Sequence, residues 1–391
     1  MNILTRTFRD FFVSLQLTVA LLILSLVLVF VATLDQVNLG IWAVQEKYFR
    51  SFFVMGHVPG SSLTFPIFPG GYLIGGFLLL NLIAAHVYRF QLTWKKLGIQ
   101  LAHSGVILLL IGELLTGLLQ QDSMLRLDTG ETKPYSESTR GMEFAILDTT
   151  NPAFDEVVAV PESVIAGKGI IQHGKLPFRV RIAGYYPNAT VQGRDQGAGG
   201  APSLATIGIG TQVSVVPLPL TYKQDERNLP AAYVEVLTTE GTLGTWLLSP
   251  MLGMPQTFTY QNRNFLLTLR SSRYYKPFTV QLLQFTHDKY PGTEIPKNFA
   301  SRVRVKSDDA KTDREVLIFM NNPLRFGGYT FYQAGFENND RTSILQVVRN
   351  PGWLIPYVSC IMMGLGLVIQ FSFHLLGFIR KRGATASTAT V

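Results

Sequence analysis

Four stretches of this chain are apolar for long enough to cross a bilayer, and a long stretch between the last two alternates instead. Residues 11–34, 72–90, 97–119 and 353–379 are the apolar runs. A hydrocarbon core roughly 30 Å thick needs about 20 helical residues, so each run predicts a transmembrane helix. The first exceeds a signal-peptide core of ~7–15 residues and ends in no small-x-small cleavage pattern, which predicts a retained span. Between the first two runs, Ile41, Trp42, Tyr48, Phe49, Phe52 and Phe53 recur at near-helical spacing, with Gln45, Glu46, Lys47 and Arg50 among them. That pattern predicts an amphipathic helix lying at the interface. Pro59, Gly60, Pro66, Pro69, Gly70 and Gly71 then predict a loop.

From residue 120 to 350 the pattern is that of strands. Residues 180–186, 213–220, 233–237, 265–270, 278–285, 302–305 and 316–320 are rich in β-branched and aromatic side chains, with Gly, Pro, Asn and Asp between them. The stretch 192–203, which contains GRDQGAGGAPS, reads as a flexible loop. The expected fold is a membrane protein of four transmembrane α-helices, three before and one after an inserted all-β, sandwich-like domain. Residues 1–119 carry three helices with an interfacial loop and helix at 35–71. Residues 120–350 form the β domain, and 351–391 the fourth helix with a short, unordered tail.

Charge fixes the expected orientation. Arg6 and Arg9 precede the first run, Arg89, Lys95 and Lys96 lie between the second and third, and Arg380, Lys381 and Arg382 close the fourth. With four spans these points fall on one side, which the positive-inside rule makes cytoplasmic, together with both termini. The β domain is then extracytoplasmic: in the periplasm of a bacterial inner membrane, or in a thylakoid lumen. The net charge of +8 reads as topology and contact with membrane lipid, so nucleic acid is excluded as a partner.

Composition removes other classes. Cys360 is the one cysteine, and it lies within an apolar run; dithiol exchange needs two thiols. No Gly-x-Ser-x-Gly or His-Glu-x-x-His motif is present, so the β domain reads as a binding module. An edge strand or sheet face of such a module captures extended polypeptide through main-chain hydrogen bonds.

Candidate chemistry rests on histidines. His86, His103 and His374 each lie four to seven residues inside the basic end of a span, about 6–10 Å below the boundary. Desolvation there favours neutral imidazole, the form that binds metal. One such ring supplies one axial ligand to a haem iron. The alternative for each is a hydrogen bond to backbone or hydroxyl near the headgroups. His103 carries the functional expectation, with Gln100 and Ser104 beside it among small residues; His86 and His374 are alternatives. Glu113 shares the span of His103 but stands roughly 80° round the helix and about 15 Å along it, so the two make no acid–base pair. His57, His173 and His287 have no ligand-spaced companions and read as structural or surface residues.

The segment KPFTVQLLQFTHDKYPGTEIPKNFASRVRV (276–305), with Tyr290-Pro291-Gly292-Thr293, Pro296, Phe299 and Ser301, is followed by NNPLRFGGYTFYQAGF (321–336), with Asn322-Pro323-Leu324, Gly328-Tyr329 and Tyr332-Gln333. Here the chain resembles the ResB/CcsB family, one half of the system II cytochrome c synthase. The resemblance implies work with a CcsA-type membrane subunit. Haem b, held transiently, is carried across the membrane and joined by thioether bonds to the Cys-x-x-Cys-His motifs of apocytochrome c. It places the family's haem-holding histidine of the third span on His103. Thr33-Leu34-Asp35-Gln36 departs from the family's Gly-Thr-x-x-Pro-Gln-like turn, with Gln36 the match. The scattered Trp42, Trp94, Trp246 and Trp353 imply that an external haem site lies on the partner, so this chain is a non-autonomous subunit. Reduction of the apocytochrome thiols falls to another, thiol-reducing membrane protein. The reading from a different class is a non-haem, membrane-anchored chaperone that binds polypeptide. A transporter would need broken helices with paired polar sites, which the spans lack.

Overall fold

The computed structural model describes residues 3–57, 63–88, 93–193, 203–221, 226–292, 296–309 and 311–388. Two units divide it: the helices, up to Gln120 and again from Asn350, and a β unit from Gln121 to Arg349.

Four helices are long and apolar enough to cross a membrane. The first apolar run is broken near its start into α1 (Ile3–Phe12) and α2 (Leu15–Leu39). Ser14 caps α2 by accepting from the Gln16 amide at 3.2 Å. The carbonyls freed at this break need donors in a medium without water. Asn81, buried on α4 (Gly71–Tyr88), supplies them. Its Nδ2 donates to Phe12 O at 2.7 Å and to Ser14 O at 3.1 Å, while its Oδ1 accepts from Thr18 Oγ1 at 2.6 Å. One asparagine thus satisfies both strands of the break.

After α2 the chain turns at Gly40, whose φ of +78° suits a residue without Cβ. The expected interfacial helix follows as α3 (Ile41–Val44), which widens into a π-helical turn at Gln45–Phe49. Asp35 fastens it to α2, accepting from Lys47 Nζ and from Tyr48 Oη, both at 2.8 Å. The connection expected as a loop is instead an antiparallel hairpin of β1 (Phe53–His57) and β2 (Thr64–Pro69). Val54, Phe65, Ile67 and Phe68 favour strand, and a two-stranded ribbon tolerates Pro66 and Pro69 because neither strand has a second neighbour to bond. The second span ends at Tyr88, and Arg89 lies outside the described residues. The third, α5 (Leu97–Leu119), has the expected limits.

The β unit opens with β3 (Gln121–Asp128), β4 (Thr132–Asp148), β5 (Glu156–Pro161), a short helix α6 (Glu162–Ala166), β6 (Ile170–Ile171) and β7 (Arg179–Tyr186). It continues through β8 (Ala189–Gly193), β9 (Val213–Pro217), β10 (Ala231–Thr238), β11 (Gly241–Leu248) and β12 (Gln256–Tyr260). It ends with β13 (Arg263–Lys289), β14 (Pro296–Ser307), β15 (Asp313–Phe319), β16 (Leu324–Phe326), β17 (Tyr329–Glu337) and β18 (Thr342–Arg349). Most of the loop expected at 192–203 lies outside the described residues, as do Thr293 and the side chain of Pro296.

Two cores share the long strands β4 and β13. The sheet β11-β10-β7-β6 faces β4, β5, β12 and the first half of β13 across Phe144, Ile182, Val234, Trp246 and Phe265, an arrangement of sandwich type. Beyond it, the path β15-β14-β13-β4-β3-β18-β17-β16 of a ten-stranded sheet, whose other two strands are β12 on β13 and β5 on β4, curls around Leu125, Phe278, Val303, Phe331 and Leu345. Phe319, ending β15, bridges Asn322, just before β16. The two ends of the sheet so nearly meet, and this half is barrel-like. Closure removes the open edges that a long sheet would otherwise present. The fourth span begins α7 (Ile355–Thr388), which continues as helix to Thr388, into the stretch expected to be unordered.

Candidate functional site

The site begins with three glycines. Gly98, Gly105 and Gly112 recur every seven residues on α5, a spacing that returns within about 20° to the same helix face. That face is pressed on α7. A Cβ on Gly98 would stand 2.6 Å from Gly366 O, one on Gly105 2.9 Å from Ser359 O, and one on Gly112 2.6 Å from Ile355 Cγ2. From the other side, a Cβ on Gly366 would meet the Ala102 amide nitrogen at 2.6 Å. Small residues let the backbones approach where lipid offers no hydrophobic drive.

Committing Ala102 to this seam decides where His103 points, because the next residue is turned about 100° away. His103 is exposed on its own chain. Ser104 faces α4, where its Oγ lies 3.3 Å from His86 Nε2. His374 takes no part: its Nε2 sits 2.8 Å from Gln370 Nε2 one turn earlier on α7. The fold brings His86 to Ser104, the neighbour of His103 in sequence, and leaves His374 with its own helix. Glu113 and Cys360 are exposed. An ionisable group at membrane depth normally faces protein or water. On this chain alone His103 is left uncovered.

Elsewhere the arrangement is structural. A cavity of about 970 Å³ opens among α2, α3 and the hairpin, lined by Val27, Val31, Phe53 and Ile67 with Glu46, Lys47 and Tyr48. None of the three span histidines lines it. In the β unit the His287 side chain is 5% exposed, with Nδ1 3.0 Å from Asp340 Oδ1 and its ring 4.3 Å from that of Phe336. The His173 ring accepts from the Lys175 amide in an exposed turn. His57 lies in β1. No group of three metal-ligating side chains occurs among the described residues. Of the aromatic residues near the motifs, Phe278 and Phe331 are core, whereas Tyr275, Tyr290 and Tyr332 are exposed.

Reading the residues one by one missed Asn81 and the glycine seam. The repeat of seven was visible in the sequence; the partner of Asn81 was not, because it sits 67 to 69 residues away.

The ResB-like family matches residues 253–344, from the approach to β12 into the start of β18. Protein NrfI of Wolinella succinogenes is 34% identical over 92 residues, which cover 24% of this chain and 10% of that protein. The match thus spans about a tenth of the length of that relative. The resemblance carried by Tyr290-Pro291-Gly292, Asn322-Pro323-Leu324 and Tyr332-Gln333 stands in this segment, while His86, His103 and His374 lie outside it.

Proposed function

We propose that this chain acts in cytochrome c biogenesis, as the membrane subunit that holds haem through His103 while a CcsA-type subunit supplies the facing ligand. The observation that carries this reading is the outward imidazole of His103 at membrane depth, with the neighbouring face of its helix sealed against α7. An exposed imidazole can present the nitrogen at its ring edge to a flat macrocycle arriving from outside the chain. A neutral imidazole supplies the iron with one nitrogen. Ser104 and His86 would orient the helix pair behind it. The family match in the β unit supports the same system, and in this reading that unit receives apocytochrome c.

The work of such a complex is proximity. Thioether formation adds a cysteine S–H across a haem vinyl: an S–C bond forms, the proton ends on the other vinyl carbon, and no electrons are exchanged. Holding thiol and vinyl together removes much of the entropic barrier. The thiols must arrive reduced, and the lone Cys360 has no companion with which to do it. The β unit belongs in this reading on the extracytoplasmic side, with both termini in the cytoplasm.

The test is purification of the chain with its neighbouring membrane subunit, followed by a haem spectrum. His103→Ala removes most of the Soret absorbance and slows cytochrome maturation, and His374→Ala leaves both near wild type. Full haem content and normal maturation in His103→Ala would overturn the role of His103, and a wild-type complex that carries no haem would leave the non-haem chaperone reading in its place.

A further inference from the structure

Glu113 is exposed on α5, and no hydrogen bond or ion pair reaches its carboxylate among the described residues. Gln120, where α5 ends, lies about 10 Å further along the axis, and the start of the helix at Leu97 about 24 Å the other way. Side chains lean toward the N-terminus of their helix, here the end at Lys96. The carboxylate therefore leans away from the nearer boundary, the reverse of what snorkelling needs. Leu110, Leu114 and Gly117 surround it on the helix. An ionisable side chain at this depth is normally paired within protein.

Two sides of α5 are already taken. Gly98, Gly105 and Gly112 press on α7, and Ser104 faces α4. At about 100° per residue, Gly117 stands roughly 100–140° from the seam glycines on one side and about 140° from Ser104 on the other. Ile99, His103, Glu113, Leu114 and Gly117 share the remaining face, an arc about 100° wide, and all five are exposed. Gly117 lies near its middle. A Cβ there would meet nothing within 4 Å, so this glycine makes no room for a neighbour within the chain, as the seam glycines do. Glycine inside a helix costs stability relative to alanine. Placed one turn from Glu113, it lets a second backbone close on α5 and set a side chain level with the carboxylate.

We infer that this face docks one transmembrane helix of a partner subunit, seated over Gly117 and carrying an arginine or lysine that pairs with Glu113. Charge complementarity selects that occupant. Acyl chains offer the carboxylate no donor. A second copy of this chain, related by a two-fold along the membrane normal, would set Glu113 against Glu113 at one depth. His103 lies on the same arc about 15 Å toward Lys96, so a helix docked at Glu113 runs on past the imidazole. The partner is the CcsA-type subunit of the reading above, on which its identity rests, whereas the contact rests on Glu113 and Gly117.

The experiment is co-purification. The tagged full chain is co-expressed with a CcsA-type subunit of the same organism and extracted in mild detergent. The subunit recovered per chain is measured, with the Soret absorbance of the complex and the thermal midpoint of each chain purified alone. Glu113→Leu and Gly117→Val each lower recovery by about fivefold or more, as loss of one interhelical polar contact implies. Glu113→Gln, which keeps hydrogen bonding without the charge, lowers it by about twofold or more. Leu26→Ala, on the exposed face of α2, leaves it unchanged. Midpoints of the chains alone stay near wild type, which separates docking from folding. His103→Ala lowers the Soret band and keeps the subunit, so the haem reading and the docking contact fail separately. Should Glu113→Leu not fold, Glu113→Gln and Gly117→Val decide. Wild-type recovery in both Glu113 variants, no subunit recovered with the wild-type chain, or a dimer of the chain alone that Glu113→Leu dissociates overturns the inference.

Discussion

Lys276 places an ammonium where little water reaches it. The residue is 6% exposed, and its Nζ donates to Ser136 Oγ at 2.5 Å and to Tyr274 O at 3.0 Å, with the Tyr329 ring 4.9 Å away. These contacts include no carboxylate, and burial pulls the group down to about 8. An unfolded chain holds the same proton to about 10.4. As pH rises through that window the folded chain releases its proton first, the unfolded state binds more protons, and stability climbs. Below about pH 8 both states are charged and the cost of burial is paid in full. The separation is worth at most about 3 kcal/mol. Stability measured for wild type relative to Lys276→Met should therefore improve between pH 7.5 and 10.5 by up to that amount. A difference that does not vary with pH would show the amine to be solvated. His287 is held in the β unit by Asp340 and Phe336 through one side of its ring, while its Nε2 is buried without a hydrogen-bond partner among the described residues.

At the level of elements, the α5–α7 pair gives the clearest forecast. Gly105→Val drives a branched side chain into Met363 Cγ, 2.7 Å from the ideal Cβ, and into Ser359 O. Gly117→Val, with nothing within 4 Å, meets open space. Overpacking costs typically about 1–3 kcal/mol, so the first variant should lower the thermal midpoint in detergent and the second leave it nearly unchanged. Equal effects would mean that helix propensity, not the seam, sets the cost. Asn81→Leu removes the donor for two carbonyls and the acceptor for Thr18. At about 1–3 kcal/mol for each buried group left unsatisfied, it should loosen α1 and admit protease at residues 13–14; unchanged proteolysis would refute that role.

These elements differ in how far the sequence disclosed them. The limits of α5 were readable because a predominantly apolar run lies between the Lys95-Lys96 pair and the Gln120-Gln121 pair. β13 read as two strands, 265–270 and 278–285, since Lys276-Pro277 looks like a stop; the chain instead absorbs it as a register shift between Tyr275 and Val280. β4 went unseen because Thr132–Asp148 is dense in Lys, Glu, Ser and Arg, and its inward pattern emerges only from Met142 onward. The hairpin at 53–69 was hidden by its prolines. The direction in which His103 points depends on which face of α5 meets α7, a contact some 260 residues distant that no local pattern states.

For the whole molecule the decisive quantity is parity. The β unit occupies the interval between the third and fourth spans, so it must lie opposite the basic ends at Arg6, Lys96 and Arg380 if all four helices cross. The lone Cys360 makes the test direct. In a Cys360→Ser background, Glu240→Cys, in the exposed turn between β10 and β11, should react with a membrane-impermeant maleimide in intact spheroplasts, and Arg6→Cys only after lysis. The opposite labelling would put the β unit in the cytoplasm, away from any apocytochrome exported across the membrane. His103, near the basic end of its helix, would then lie closer to the far face. That result would remove the topological basis for the β unit as receiver of an exported apocytochrome, whatever haem the purified protein held.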